Sequence, residues 1–247
     1  MKEPSPDELW NSTPASQSYF DPSHVSEVPR AARRYLEHAI AGGTLLAGVV
    51  RLRMHGEIKL KRWFPFAAEE MIQWDRGMIW RATVRMYGIS MSGGDSLVDG
   101  HGAMHWKLFG AVPVINASGS DITRSAAGRV NIESLWLPSA LCGDQVSWTE
   151  SDASHPHARF TAHGETAEID YTVNQSGRLE TVSMPRWGNP GGGAFRYANC
   201  GGFVDEEGTF GGYTIPTRMR VGWHFGSDRF VSEGEFFRVV IDDAVYR

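Results

Sequence analysis

The chain has 247 residues, 41% of them hydrophobic, enough length and apolar material for a full core without a metal or disulfide staple. Its 24 Lys and Arg against 29 Asp and Glu give a formal charge of -5, which argues against an electrostatic grip on nucleic acid or anionic lipid. The 28 Gly and 12 Pro follow no period, so collagen-like and low-complexity readings fail and a turn-rich β protein is expected.

Residues 1–25 carry Pro4, Pro6, Pro14 and Pro22 with Trp10, Tyr19 and Phe20 as large anchors, the composition of an irregular arm lying over the body. The first residues are polar and acidic where an export signal needs a basic start and an apolar run. The longest uncharged apolar stretch, Ile40 to Val50, is 11 residues, well short of the ~20 that a spanning helix needs. The reading is a soluble, cytoplasmic protein with no membrane insertion. Ser26 as a cap, Pro29 in the first turn, and Ala32, Tyr35, Leu36 and Ile40 at helical spacing predict a helix over 26–40, stopped by Gly42-Gly43.

From residue 47 the hydrophobic period becomes two. Val50, Leu52 and Met54 alternate with Arg51, Arg53 and His55, and the pattern resumes at Ile58 and Leu60. Asp75-Arg76-Gly77 reads as a hairpin turn into a strand with Met78, Trp80, Ala82, Val84 and Met86 on one face. Gly93-Gly94-Asp95 reads as the next turn, before a strand over 102–108. Further strands are predicted at 145–150, 157–162, 166–173, 178–185, 214–225 and 229–241, with one internal helix around 126–134. The expected fold is mainly β (α+β): a single strongly curved antiparallel sheet or open β-barrel of about ten or eleven strands in meander order, forming one domain over 26–247.

Nine tryptophans are the most unusual feature of the composition. Trp80, Trp106 and Trp223 share a strand face with the local aliphatics, so several indoles are expected to converge on the concave side and line a cavity for a small apolar or aromatic molecule. Arg129, Glu133, Trp136 and Ala140 fall on one side of the internal helix, which draws Glu133 inward as a candidate acid or base, with Arg129 as an alternative ion-pair partner. Asp99-Gly-His101-Gly sets a carboxylate near an imidazole, either a second acid-base pair or a glycine-supported turn. His155-Pro-His157 reads as a solvated loop rather than a metal site. Cys142 and Cys200 stand in no ligand pattern and are read as reduced structural thiols. Nucleophile elbows and phosphate-cradling glycine motifs are missing, so no nucleotide or other cofactor is expected. Gly188–Gly193 reads as a mobile loop over the cavity mouth.

Five separated motifs keep a fixed order: Asp99-Gly-x-Gly-x-Met104, Pro113-Val-x-x-Ala-Ser-Gly119, Glu133-x-x-Trp136-x-Pro138-x-Ala140-Leu141, Val146-x-Trp148, and Gly212-Tyr213-x-Ile-Pro216. Together they resemble a bacterial family with no assigned function, over roughly residues 28–245. The resemblance implies a curved, unclosed β fold similar to lipocalin-like and lipoprotein-carrier proteins. It marks Asp99, Glu133, Trp136, Trp148, Tyr213 and Trp223. The leading expectation is a cofactor-independent acid-base enzyme of lyase, isomerase, cyclase or hydrolase type. Glu133, Asp99 and His101 would be its catalytic residues, and Trp63, Trp80, Trp106, Arg124, Arg129, Trp136, Trp148, Tyr213 and Trp223 would contact the ligand. The alternative is a carrier or sensor that binds a hydrophobic molecule without changing it.

Overall fold

A computed structural model describes residues 5–14 and 16–247. In chain order the elements are α1 (Pro6–Ser12), α2 (Arg30–Ala39), β1 (Val49–Lys59), β2 (Trp63–Gln73), β3 (Gly77–Met86), β4 (Ile89–Val98), β5 (His101–Leu108), β6 (Val112–Ser118) and α3 (Ser120–Ile132). They continue as β7 (Ser147–Glu150), β8 (Pro156–Ala162), β9 (Glu165–Val173), β10 (Leu179–Gly188), β11 (Arg196–Phe210), β12 (Tyr213–Trp223) and β13 (Glu235–Tyr246). Among the described residues the 13 strands form one antiparallel sheet in the order β6-β5-β4-β3-β2-β1-β13-β12-β11-β10-β9-β8-β7. Neighbouring strands are joined as a meander, with two exceptions: β1 pairs with β13, and α3 carries the chain from one free edge to the other. The sheet is strongly curved and does not close.

Strand glycines permit that curvature. A Cβ on Gly56 in β1 would lie 1.9 Å from the Arg238 carbonyl oxygen, and one on Gly94 in β4 would lie 1.8 Å from that of Trp80. This corrects the sequence reading of Gly93-Gly94-Asp95 as a turn, since these residues sit mid-strand and the turns fall at Tyr87-Gly88 and Asp99-Gly100. Strands β2, β4, β6 and β11 are not among the predicted segments, and the sheet has 13 strands in place of ten or eleven.

The arm is more ordered than its composition suggests. In α1 the Ser5 backbone N–H donates to Glu8 Oε2 (2.6 Å) and the Glu8 N–H donates to Ser5 Oγ (3.2 Å), a reciprocal cap. The helix buries Leu9 with Val49, Met71, Ile79 and Val98 on the outer face of the sheet, a burial worth about 1.5–3 kcal/mol for Leu9 alone. Pro4, counted in the arm, lies outside the described residues. Helix α2 begins after Pro29 rather than at Ser26, whose hydroxyl donates to the Ser23 carbonyl (2.8 Å), and its first-turn Ala31 N–H donates instead to Glu150 Oε2 (2.7 Å).

The main core lies on the inner face. Helix α3 crosses this concave side, packing on β5, β9 and β10. Gly102 seats it: a Cβ there would lie 2.5 Å from Thr123 Cα, and the Gly102 N–H donates to Thr123 Oγ1 (3.0 Å). Two single-turn 3₁₀ segments follow, Glu133–Trp136 and Pro138–Leu141. They turn Glu133 and Trp136 toward the middle of the half-shell.

Candidate ligand cavity

Between α3 and the sheet lies a cavity of about 350 Å³. Its wall is mostly aliphatic and aromatic, drawn from β3, β4, β5, β10, β11, β12 and β13, with Trp80, Trp106, Trp136 and Trp223 as its indoles. Trp80 and Trp106 have ring centroids 5.8 Å apart, and the Trp136 Nε1–H donates to the Pro216 carbonyl at 3.1 Å. That bond joins the Glu133–Trp136 turn to β12. A wider, more open depression on the opposite face, near Arg53, Glu69, Arg81, Lys107 and Asp242, has a mixed polar and apolar lining.

One corner of the cavity is charged. Arg129, its side chain 14% exposed, donates from Nε to Glu133 Oε1 (2.6 Å), from Nη1 to Asp95 Oδ2 (3.1 Å) and from Nη2 to Glu70 Oε1 (2.9 Å). Its guanidinium carbon lies 5.0 Å from the Trp80 ring centroid. Burial works against the Arg129 charge, but Glu133, Glu70 and Asp95 outweigh it and hold the group firmly protonated. Burial, then the neighbouring Glu133, push the Glu70 carboxyl well above the usual range, with Arg129 opposing. Glu70 Oε2 and Glu133 Oε2 are buried without a hydrogen-bond partner. Asp95 Oδ1 and Trp80 Nε1 stay unpartnered, on residues directly opposite each other in the β3–β4 register.

Of the residues singled out from sequence, Glu133, Arg129, Trp80, Trp106, Trp136 and Trp223 meet at this cavity. Glu70 and Asp95 were missed. Glu70 stands in Phe66-Ala-Ala-Glu-Glu-Met71, where no alternation separates it from the exposed Glu69, and Asp95 was taken for a turn residue.

The other candidates lie elsewhere. Asp99 and His101 do not form an acid-base pair in the cavity. Asp99 occupies the β4–β5 turn at φ 50°, clamped by Arg76 (2.9 and 2.6 Å), and His101 Nδ1 meets the Asp99 carbonyl oxygen (2.9 Å). Trp63 lies beneath Arg238, whose guanidinium carbon is 4.2 Å from the ring centroid. Arg124 stacks on Trp187 (3.9 Å) and donates to Glu165 (2.8 Å), away from the cavity lining. Trp148 packs with Tyr35 and Tyr171. The Tyr213 hydroxyl donates to the Leu45 carbonyl (2.6 Å) and accepts the Ala47 N–H (2.8 Å), tying the β1 approach to β12. His155 and His157 pair with Asp152 and Asp170. No cluster of three or more metal-ligating side chains occurs among the described residues. Gly188–Gly193 closes β10 and opens the connection to β11.

Fold and site together define an open antiparallel β half-shell, covered by one helix, around an indole-lined cavity with the Arg129 carboxyl cluster at one corner and Arg186 in its wall. The chain belongs to a family of unknown function, DUF6920, whose model matches residues 26–246. Two solved structures are similar to it. One is a putative outer membrane lipoprotein-sorting protein domain from Vibrio parahaemolyticus, at 8% identity and TM-score 0.42, covering 81% of this chain and 86% of that one. The other is a LolA superfamily protein from Nitrosomonas europaea, at 11% identity and TM-score 0.44, covering 88% and 92%. No curated protein matches the sequence.

Proposed function

We propose that this protein is a binder or carrier that encloses a small, largely apolar molecule and releases it unchanged. The cavity carries the reading: about 350 Å³ walled by four indoles and aliphatic side chains, room for roughly a dozen non-hydrogen atoms at about 30 Å³ each. The acid-base reading has less support. Asp99 and His101 sit on an outer turn, and Glu133 is held through Oε1 in the Arg129 ion-pair cluster.

The charged corner sets which end of the guest enters first. At the Arg129 corner three carboxyls surround one guanidinium and disfavour an anionic head group, while the other cation of the wall, Arg186, is turned to the Ser125 carbonyl and the Trp223 ring. Asp95 Oδ1 needs a donor and the Trp80 Nε1–H needs an acceptor, and a hydroxyl supplies both. The proposed guest is therefore an apolar molecule ending in a hydroxyl, since an alkylammonium donates to Asp95 Oδ1 but offers no acceptor to the Trp80 Nε1–H. Decanol, decylamine and decanoate, titrated while tryptophan fluorescence is followed, test this. Decanol should bind at one site and be recovered intact, with decylamine weaker and decanoate at least tenfold weaker. Equal binding of decanoate would overturn the orientation, and conversion of any guest would overturn the carrier reading.

A further inference from the structure

Alternation along an antiparallel sheet puts the β1–β2, β3–β4 and β5–β6 turns at one end. The Phe64 and Tyr87 rings touch at 5.4 Å and the Phe109 N–H donates to the Ser90 carbonyl at 3.0 Å, which joins the three tips into one surface. The β12–β13 connection lies beside them, with Lys59 Nζ donating to the Ser232 carbonyl at 3.3 Å. The cavity opens here, since Leu60 and Ile115 both line it and face solvent.

This rim is apolar where a hairpin tip is ordinarily polar. Leu60, Tyr87, Phe109 and Val231 are 51%, 78%, 69% and 69% exposed. Tyr87 and Phe109 have φ of 51° and 52°, each followed by a glycine of positive φ. That left-handed position favours Gly, Asn or Asp and penalises a bulky side chain. The β4–β5 turn, at the other end of the same strands, has the same backbone with Asp99 and Gly100 in those places. Two tips thus keep strained aromatic residues whose rings point into water.

Charge is segregated in the same way. Residues 58–68, 81–94 and 103–120 contain no Asp or Glu, while Lys59, Lys61, Arg62, Arg85 and Lys107 surround the tips of a chain whose net charge is -5. On the adjacent connection Glu233 is paired with Arg229 (2.6 Å), and Asp228 is the other acid there. We infer that these tips dock on the surface of an anionic lipid bilayer, with the aromatic rings at the head-group level and the basic collar against the lipid charge, so that the cavity mouth faces the membrane. The -5 total, which argued against anionic lipid, averages over a basic rim and an acidic remainder.

Flotation with vesicles of mixed phosphatidylcholine and phosphatidylglycerol, against phosphatidylcholine alone, tests this without any guest in the cavity. The protein should float with the mixed vesicles and lose that binding in high salt. Tyr87→Asn with Phe109→Asn suits the backbone, so thermal stability should hold or rise while partitioning falls at least about tenfold. Lys61→Gln with Arg62→Gln should weaken binding to the mixed vesicles by roughly 30-fold. A wild-type protein that stays free of the mixed vesicles, or folded tip variants that float as well as wild type, would overturn the inference and point to a protein partner for the rim.

Discussion

Replacing Arg129 with Met removes the one cation from a corner that holds three carboxyls. Glu133, Asp95 and Glu70 lie 2.6, 3.1 and 2.9 Å from its nitrogens, and the Glu70 side chain is fully buried. Breaking a buried charge cluster from one side costs about 3–5 kcal/mol, because the remaining charges lose their compensation. At about 2–4 °C per kcal/mol for a chain of this size, the melting temperature should fall by roughly 10 °C near pH 8. The sign of the pH dependence follows from Glu70. Its folded-state pKa is already raised, and losing Arg129, the group that opposes the rise, lifts it further. The folded variant then binds more protons than its unfolded chain, so the deficit grows as pH rises and shrinks on acidification. Calorimetry or urea unfolding at pH 5.5 and pH 8 reads both quantities. A drop under about 2 °C, or a deficit that deepens toward acid, would refute the description of the corner as a cation-dependent cluster.

The same linkage predicts that wild-type stability falls as pH rises from the ordinary glutamate range through the raised Glu70 pKa, at up to about 1.4 kcal/mol per pH unit. Glu70→Gln should flatten that slope in unfolding curves, and an unchanged slope would move the proton to another group. Asp99→Asn should leave guest binding unchanged and cost less than about 1 kcal/mol, since Asn tolerates the left-handed turn and only an exposed pairing with Arg76 is lost. A tenfold loss of guest affinity in that variant would return Asp99 to the site.

The curved meander was legible because Trp80 to Met86 and Met104 to Leu108 alternate apolar with polar or small residues along the strand. The inward side of the helix was legible because Arg129, Glu133 and Trp136 recur at helical spacing. What escaped had specific causes. Strand β2 carries Glu70 inside an apolar run that is buried on both faces, under α1 outside and the core inside, so its alternation is lost. In β4 and β11, Gly93-Gly94 and Gly201-Gly202 imitate turns although their lack of a side chain lets neighbouring backbone approach. Asp99-Gly-His101-Gly owes its glycines to a turn at Gly100 and to the seating of α3 on Gly102, and neither requirement concerns chemistry at a ligand. Side-chain composition marked an indole-rich interior, but only the fold selected which four of the nine tryptophans face the cavity.

Calorimetric titration of decanol into the wild-type protein and into Val221→Trp, which places an indole in the hollow from the β12 wall, is the most direct measurement. Saturable one-site binding by the wild type, abolished in a variant that still melts cooperatively, is the predicted result. A wild type that takes up no decanol, or a filled variant that binds it equally well, would contradict a guest-holding cavity.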